Sequence, residues 1–296
     1  MNEVINVEED KLMAIKSKAK FKRKEKYKKL LIHLLLILGG VSMMFPFFWM
    51  VSTSLKENAL IFQLPPKWIP DPIAWHNYPD AMETIPFIRY FWNTTVITVL
   101  KGIGEVFVSA LVAYGFARFR FPGRKFLFLF LLSTIMIPGE ITLIPVFIMW
   151  RNVNLIDTYV PLILPAFAGS AVFIFFLKQY FSTIPKELEE SARIDGCNSF
   201  QIFYKIFLPI SKPALITIGI WSFQGSWNDL MGPLIYLNSY EKFTLQLGLS
   251  MFQSLHKVEW GQLMAASLMT MIPVLIIFFV GQKYFTEGIK LTGIKG

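Results

Sequence analysis

Hydrophobic residues fall into long runs separated by shorter polar stretches, and the lengths of those runs set the first expectation. Runs near 30–52, 90–117, 126–150, 159–180, 214–237 and 263–285 each approach or exceed the ~20 residues a helix needs to cross a bilayer. The pattern predicts an all-α polytopic membrane protein with six transmembrane helices and both ends on one side. Gly39, Gly40 and Pro46 interrupt the first run, and Pro138-Gly139-Glu140 and Pro145 break the third. Spanning helices tolerate such residues when neighbours satisfy the freed backbone groups.

Two runs carry polar groups at membrane depth. Lys101 and Glu105 lie four apart in the second run. Charge there is costly and faces the protein interior or water. The pair is either a substrate or partner contact or, as the spacing favours, a self-neutralising pair turned into the protein. The fifth run holds Trp221, Gln224, Trp227, Asn228 and Asp229. Amides and indoles can hydrogen-bond and stack on a polar solute, so these five are candidate pathway-lining residues. The competing reading is that buried amides hold the helices together.

The polar stretch 182–213 lies between the fourth and fifth runs. Ser182 or Thr183 could cap a turn at Pro185, and Glu189 and Arg193 are spaced to pair on one helical face. Asp195-Gly196 supplies a helix stop, because glycine accepts the left-handed conformation. Ser199 could cap a second short helix in which Phe200, Phe203, Tyr204 and Phe207 form one apolar stripe, closed by Leu208-Pro209. A charged helix and an apolar helix joined at a glycine read as a docking element. A plain loop resting on the bilayer is the alternative. The segment 56–86, rich in proline and tryptophan, reads as irregular and external.

Charge fixes the orientation. The net charge is +9, and residues 1–29 hold ten Lys or Arg against five Asp or Glu. A basic chain can mean nucleic acid. Here the basic run abuts an apolar span, so the positive-inside rule accounts for it and no nucleic-acid partner is expected. Basic residues also cluster at 118–125, in 182–213 and at the end of the chain, all on one side of a six-span topology. That side is expected to be cytoplasmic. The stretch 1–29 reads as a basic arm, mobile or a frayed extension of the first helix. With Glu8, Glu9 and Asp10 and a span-length apolar run after it, it does not read as a cleaved signal. The transmembrane domain is expected over 30–287, with a tail over 288–296.

Catalytic chemistry is not legible. There is no G-x-x-x-x-G-K-[ST] loop and no H-E-x-x-H, and His33, His76 and His256 are far apart. The single cysteine, Cys197, excludes an internal disulfide. No metal site, bound cofactor or enzyme activity is expected of this chain.

Glu190-Ser191-Ala192, Asp195-Gly196, Ile206, Leu208-Pro209 and Pro213 resemble the EAA loop of ABC importer permeases, with serine at the middle position. The external LPPKWIPDPIAWHNY, the fifth run's WNDLMGPLIYL, the sixth's LMAAS and the tail KYFTEGIKLTGIKG resemble the carbohydrate-uptake branch, of the maltose-transporter type. The resemblance implies a type I ABC importer permease fold and one half of a sugar or oligosaccharide pathway. It implies a second, homologous permease forming a heterodimer, two ATP-binding subunits carrying ATP and Mg, and an extracytoplasmic solute-binding protein. The membrane would be a bacterial or archaeal inner membrane, with both termini cytoplasmic. Glu190, Ser191, Ala192, Asp195, Gly196, Phe200, Phe203, Phe207, Leu208 and Pro209 would couple to the ATPase. Gly288, Gly293, Lys295 and Gly296 of the tail would reach the ATPase interface. A secondary transporter working alone is the other function class, but the paired broken helices of such carriers are not evident in these runs.

Overall fold

The computed structural model describes the backbone of residues 2–253 and 258–293 and the side chains of residues 24–253 and 258–283. In chain order the helices are α1 (Asn2–Ser54), α2 (Asn77–Thr84), α3 (Phe87–Arg118), α4 (Arg124–Ser133), α5 (Gly139–Asn152), α6 (Val160–Ile163), α7 (Ala171–Thr183), α8 (Glu187–Ile194), α9 (Ser199–Ile202), α10 (Leu208–Ile210), α11 (Lys212–Trp227), α12 (Met231–Tyr236), α13 (Leu245–Ser250) and α14 (Trp260–Gly293). Among the described residues there is no strand, only an isolated pairing of Gln253 with Val258. The all-α expectation holds.

Among the described residues, four stretches are long and apolar enough to cross a membrane: Lys24–Ser54, Phe87–Arg118, Val160–Thr183 and Trp260–Lys283. Two further apolar pairs are bent, Arg124–Met136 with Gly139–Asn152 by 97° and Ser199–Ile210 with Lys212–Trp227 by 80°, giving up to six crossings. The third run is therefore an elbow rather than a kinked rod. Pro138 adopts an extended conformation and Gly139 restarts the helix, while Pro145 sits inside α5. Each arm rises only about 20 Å, short of the ~30 Å hydrocarbon core.

The fifth run also differs from the unbroken helix expected. α11 stops at Asn228, whose side-chain amide donates to the Gln224 carbonyl (3.0 Å), and Asp229 Oδ1 accepts from the Gly232 N–H (3.0 Å). These short polar side chains compete with the backbone ladder, end one helix and start the next. At both chain ends the boundaries expected at 29 and 288 fall inside continuous helices. The backbone is helical from Asn2 through the first span, and α14 continues to Gly293. Gly288 and Gly293 thus belong to helix backbone, and Lys295, Gly296 and His256 lie outside the described residues.

Helix α3 is the hub. Near its C-terminal end Ala110, Ala113 and Tyr114 join Ile174, Leu177 and Phe181 of α7 and residues of the 182–213 loop in one buried cluster. Near its N-terminal end Phe87 and Tyr90 join Trp227, Leu245, Leu263 and Ala266 in a second. Gly104 lets the turn Leu164–Ala168 close on α3, since a Cβ there would lie 2.7 Å from the Phe167 ring. α1 is different. Its apolar surface from Leu30 to Phe48 is exposed. Its C-terminal end is held: buried Asn77 donates to the carbonyls of Ser54 (2.9 Å) and Lys56 (2.8 Å), and Trp68 packs edge-on to Phe45 and Trp49.

Candidate functional site

The loop between α7 and α11 is built from local signals. α8 ends in a two-bond reversal: the Gly196 N–H donates to the Arg193 carbonyl (3.1 Å) and the Cys197 N–H to the Ala192 carbonyl (2.9 Å). This is the Schellman arrangement, and it needs a left-handed residue. Gly196 has φ +80°. The next helix is capped one residue earlier than expected. Asn198, not Ser199, receives the Gln201 N–H (2.8 Å), while Gln201 Oε1 accepts from the Asn198 N–H (2.8 Å). The reciprocal pair is a capping box, and Asn198 rather than Ser199 has glutamine three residues on. Ser182 and Thr183 do not cap α8. Their hydroxyls bond back to the Lys178 and Tyr180 carbonyls at the end of α7.

One residue outside the loop holds it, and sequence reasoning missed its role. Arg118 ends α3, and its side chain is 5% exposed. Its Nη2 donates to the carbonyls of Phe181 (2.9 Å) and Ile184 (2.5 Å). Its Nε lies 3.7 Å from Glu189 Oε2, and its guanidinium sits 4.8 Å from the Phe207 ring centroid. A single planar cation thus ties α3, the end of α7, α8 and the second half of the loop together. Glu189 also takes the Arg193 bond expected from their spacing, at 2.7 Å. The signal available in the sequence was the arginine ending a span, read there only as orientation.

The expected aromatic stripe is split. Phe203 and Phe207 are each 1% exposed and face inward, against Tyr114 and, for Phe207, Phe181. They anchor the loop to its own spans and do not reach a partner. Phe200 and Tyr204 face outward at 57% and 43% exposure. The segment Phe203–Phe207 is a π-helical turn, whose i→i+5 bonding shifts the angular position of each side chain relative to an α-helix. Ala192 is buried in the same core and Leu208 packs against it. Glu190, Ser191, Asp195, Gly196 and Pro209 are exposed, and the Glu190 carboxylate has no partner among the described residues. Leu188 and Ile194, unremarked in the sequence, are exposed at 43% and 87%.

The fifth-run candidates also divide. Trp227 is 2% exposed, donates its indole N–H to the Thr270 carbonyl (3.1 Å) and packs against Phe91 and Phe223. It is a packing post between α3, α11 and α14 and does not line a pathway. Asp229 caps α12. Trp221 is half exposed beside Phe173 and Phe176. Gln224 and Asn228 are exposed. Asn228 Oδ1 accepts from Gln246 Nε2 (3.3 Å), and Asn228, Gln246, Ser267, Thr270 and Met271 line a cleft of about 320 Å³. Gln246, Ser267 and Met271 come from α13 and α14, too far along the chain for spacing to have joined them to Asn228.

The Lys101–Glu105 pair is not made. Glu105 Oε2 instead accepts from Ser222 Oγ of α11 (2.6 Å), and Lys101 turns to a small cavity with Ser226, Asp229 and Thr244.

On the opposite side of the bundle, Asp157 (φ +61°) clasps two loops. It accepts from the backbone N–H groups of Asn238 and Ser239 (each 2.9 Å), from the Ser239 hydroxyl and from Lys242 Nζ (3.0 Å). The hydrogen bonds from Ser239, hydroxyl first, hold this carboxyl well below the usual carboxylate range.

Comparison with known proteins fits this geometry. Residues 105–291 match the family described as "Binding-protein-dependent transport system inner membrane component". The chain is 35% identical over 266 residues to the probable ABC transporter permease protein YurM of Bacillus subtilis, covering 88% of this chain and 87% of that one. It is 35% identical over 256 residues to the arabinooligosaccharides transport system permease protein AraQ of the same organism, covering 86% and 91%. It is 32% identical over 265 residues to the sn-glycerol-3-phosphate transport system permease protein UgpE of Yersinia pestis, covering 87% and 94%. Its fold superposes with a TM-score of 0.78 and 26% identity on a chain from a crystal structure of a bacterial ABC transporter involved in importing the acidic polysaccharide alginate, covering 89% of this chain and 98% of that one. With a matched family over most of its length and this fold, the chain belongs to the binding-protein-dependent transport system inner membrane components, the permease subunits of ABC importers, and is a transport component rather than an enzyme.

Proposed function

We propose that this chain forms half of the pathway of a sugar or oligosaccharide importer and couples it to a separate ATPase through the loop 182–213. The carrying observation is the contrast within that loop. Its inner face is locked by Arg118, Phe203 and Phe207, while Leu188, Glu190, Ile194, Phe200 and Tyr204 stand exposed on a held platform. Exposed apolar side chains on a well-ordered element suit an obligate partner surface. The names of the relatives, covering arabinooligosaccharides and sn-glycerol-3-phosphate, support a sugar or polyol phosphate as cargo.

In this reading a second, homologous permease completes the pore, two ATP-binding subunits carry ATP and Mg, and an extracytoplasmic binding protein delivers the solute. The exposed faces of α1 and of the α4–α5 elbow suit lipid and the partner permease. Both termini and the loop lie on the cytoplasmic side of a prokaryotic inner membrane, by the charge distribution. The arm 1–29, transmembrane part 30–287 and tail 288–296 then divide by role rather than by a break in helix. Gly288, Gly293, Lys295 and Gly296 of the tail are assigned to contact with the ATPase pair on the family resemblance. Closure of the ATPases carries α8 and α9, and Arg118 passes the movement to α3 and α7, so the spans alternate between inward-open and outward-open.

The test uses the chain's single cysteine. Replacing Cys197 with alanine leaves a cysteine-free chain, and Ile194→Cys then reports on docking. The reading predicts disulfide or maleimide cross-links from position 194 to the ATPase and none from Met43→Cys on exposed α1. Absence of the first with an assembled, active transporter would refute it.

A further inference from the structure

The side of the bundle that carries the loop also holds a concave basic site, part of whose wall the loop itself supplies. A cleft of about 450 Å³ opens between the α3–α4 turn and the start of α8, and Arg118, Arg120, Arg124, Lys186 and Arg193 line it. Against these five cations stand two carboxylates. Glu189 is already committed to Arg118 and Arg193. That leaves Arg120, Arg124 and Lys186 facing Glu190. Arg120 and Lys186 have no partner among the described residues, and Arg124 gives only its Nη1, to the Phe119 carbonyl (3.0 Å).

We infer that this cleft is a binding site for the phosphate of an anionic phospholipid headgroup. Planar guanidinium forks match the oxygens of a phosphate, and an excess of cations in a concave site concentrates an anion. Its level relative to the membrane selects the source of that phosphate. Arg118 is the last residue of one apolar span and Arg124 the first of the next, so the cleft lies where span ends meet headgroups. Phe119, Phe121 and Phe126 beside it are 38%, 37% and 71% exposed. Phe119 and Phe121 pack on Tyr114 and Phe116, whereas Phe126 stands open, and aromatic rings interleaved with basic residues fit the bilayer interface. The site is independent of the solute carried; Lys186, Glu189, Glu190 and Arg193 of its wall belong to the loop 182–213, so lipid binding and ATPase docking are read separately in the test.

The test uses the assembled transporter in lipid nanodiscs. After exchange into phosphatidylcholine, a short-chain phosphatidylglycerol is titrated and bound lipid is counted by native mass spectrometry. The variant is Arg120→Gln with Lys186→Gln, and Lys125→Gln, which lies outside the cleft, is the control. Each cation near an anionic lipid contributes roughly five-fold in affinity, so the double variant should bind about 25-fold more weakly while the control binds as wild type. Inorganic phosphate at millimolar concentration should fail to displace the lipid. Displacement by phosphate would make a soluble anion the ligand and overturn the lipid assignment. Equal lipid binding by wild type and double variant would overturn the site. Loss of ATPase co-purification in the double variant with lipid binding intact would reassign the cleft to the partner protein.

Discussion

Removal of the Arg118 side chain tests how the loop is held. In Arg118→Ala, buried Glu189 keeps only Arg193, whose side chain is 54% exposed and therefore screened. Breaking a buried pair on one side costs about 3–5 kcal/mol. The 3.7 Å separation and the surviving Arg193 bond place this case near the lower end. Two carbonyls also lose their donor, at about 1 kcal/mol each where water reaches them. The total, roughly 4–5 kcal/mol, falls on a short segment. The spans are held by their own packing and by lipid, so the expected outcome is a chain that still inserts but whose loop detaches. Hydrogen exchange across 182–213 should accelerate by about 1000-fold where opening governs exchange. Arg118→Lys keeps the charge without the fork and should fall between the two. Glu189→Gln should be non-additive with Arg118→Ala, because both break the same contact. Unchanged exchange and uptake in Arg118→Ala would refute the reasoning.

Other outcomes follow from the same contacts. Phe203→Ala empties a fully buried ring site and should destabilise the chain by about 3–5 kcal/mol, whereas Phe200→Ala should leave thermal stability unchanged and weaken ATPase co-purification. Alanine at exposed Gln224, or at Asn228 in the wall of the 320 Å³ cleft, should raise the KM for uptake if these side chains meet the solute; unchanged kinetics in a folded complex would remove them from the pathway. The Asp157 clasp has a pH signature. Its carboxyl is held below its ordinary value near 4, so its stabilisation is fully present above that pH and is lost only as pH falls through the lowered value. Protection of 236–243 from proteolysis should therefore persist from pH 7 to pH 4, and Asp157→Asn should reduce it across that whole range.

Local signals were read well from the sequence and long-range ones were not. The helix stop at Gly196 follows from Asp-Gly at the end of a charged helix, and its φ is +80°. Asn198 rather than Ser199 is the cap because Gln201 lies three residues after Asn198, a spacing the sequence already shows. The apolar runs located the membrane-crossing stretches because span length is a property of contiguous residues. The elbow at Pro138 and the break at Asn228 were visible as residue types, but their angles depend on what each arm packs against. The stripe Phe200–Phe207 has a legible period, yet the split between Phe203 and Phe200 is set by Tyr114 and Arg118 on a helix some 80 residues earlier. Trp227 and Glu105 fail for the same reason. A tryptophan or carboxylate at membrane depth needs a partner, and here those partners, the Thr270 carbonyl and the Ser222 hydroxyl, sit on other helices.

The central claim is that this loop carries work from an ATPase to the spans, and Gly196 gives the most direct test of it. A Cβ at Gly196 would meet nothing of this chain within 4 Å, so within the chain a substitution acts through the backbone. Asparagine tolerates the left-handed conformation, whereas a β-branched residue is strained by about 1–2 kcal/mol or more, enough to reopen the turn between α8 and α9. ATPase co-purification and solute uptake per ATP hydrolysed should be measured together in proteoliposomes for Gly196→Asn and Gly196→Val. The account predicts near-normal coupling for asparagine, and for valine a chain that inserts normally but loses docking and uptake together. Full uptake by the valine chain, with its ATPase bound, would contradict it.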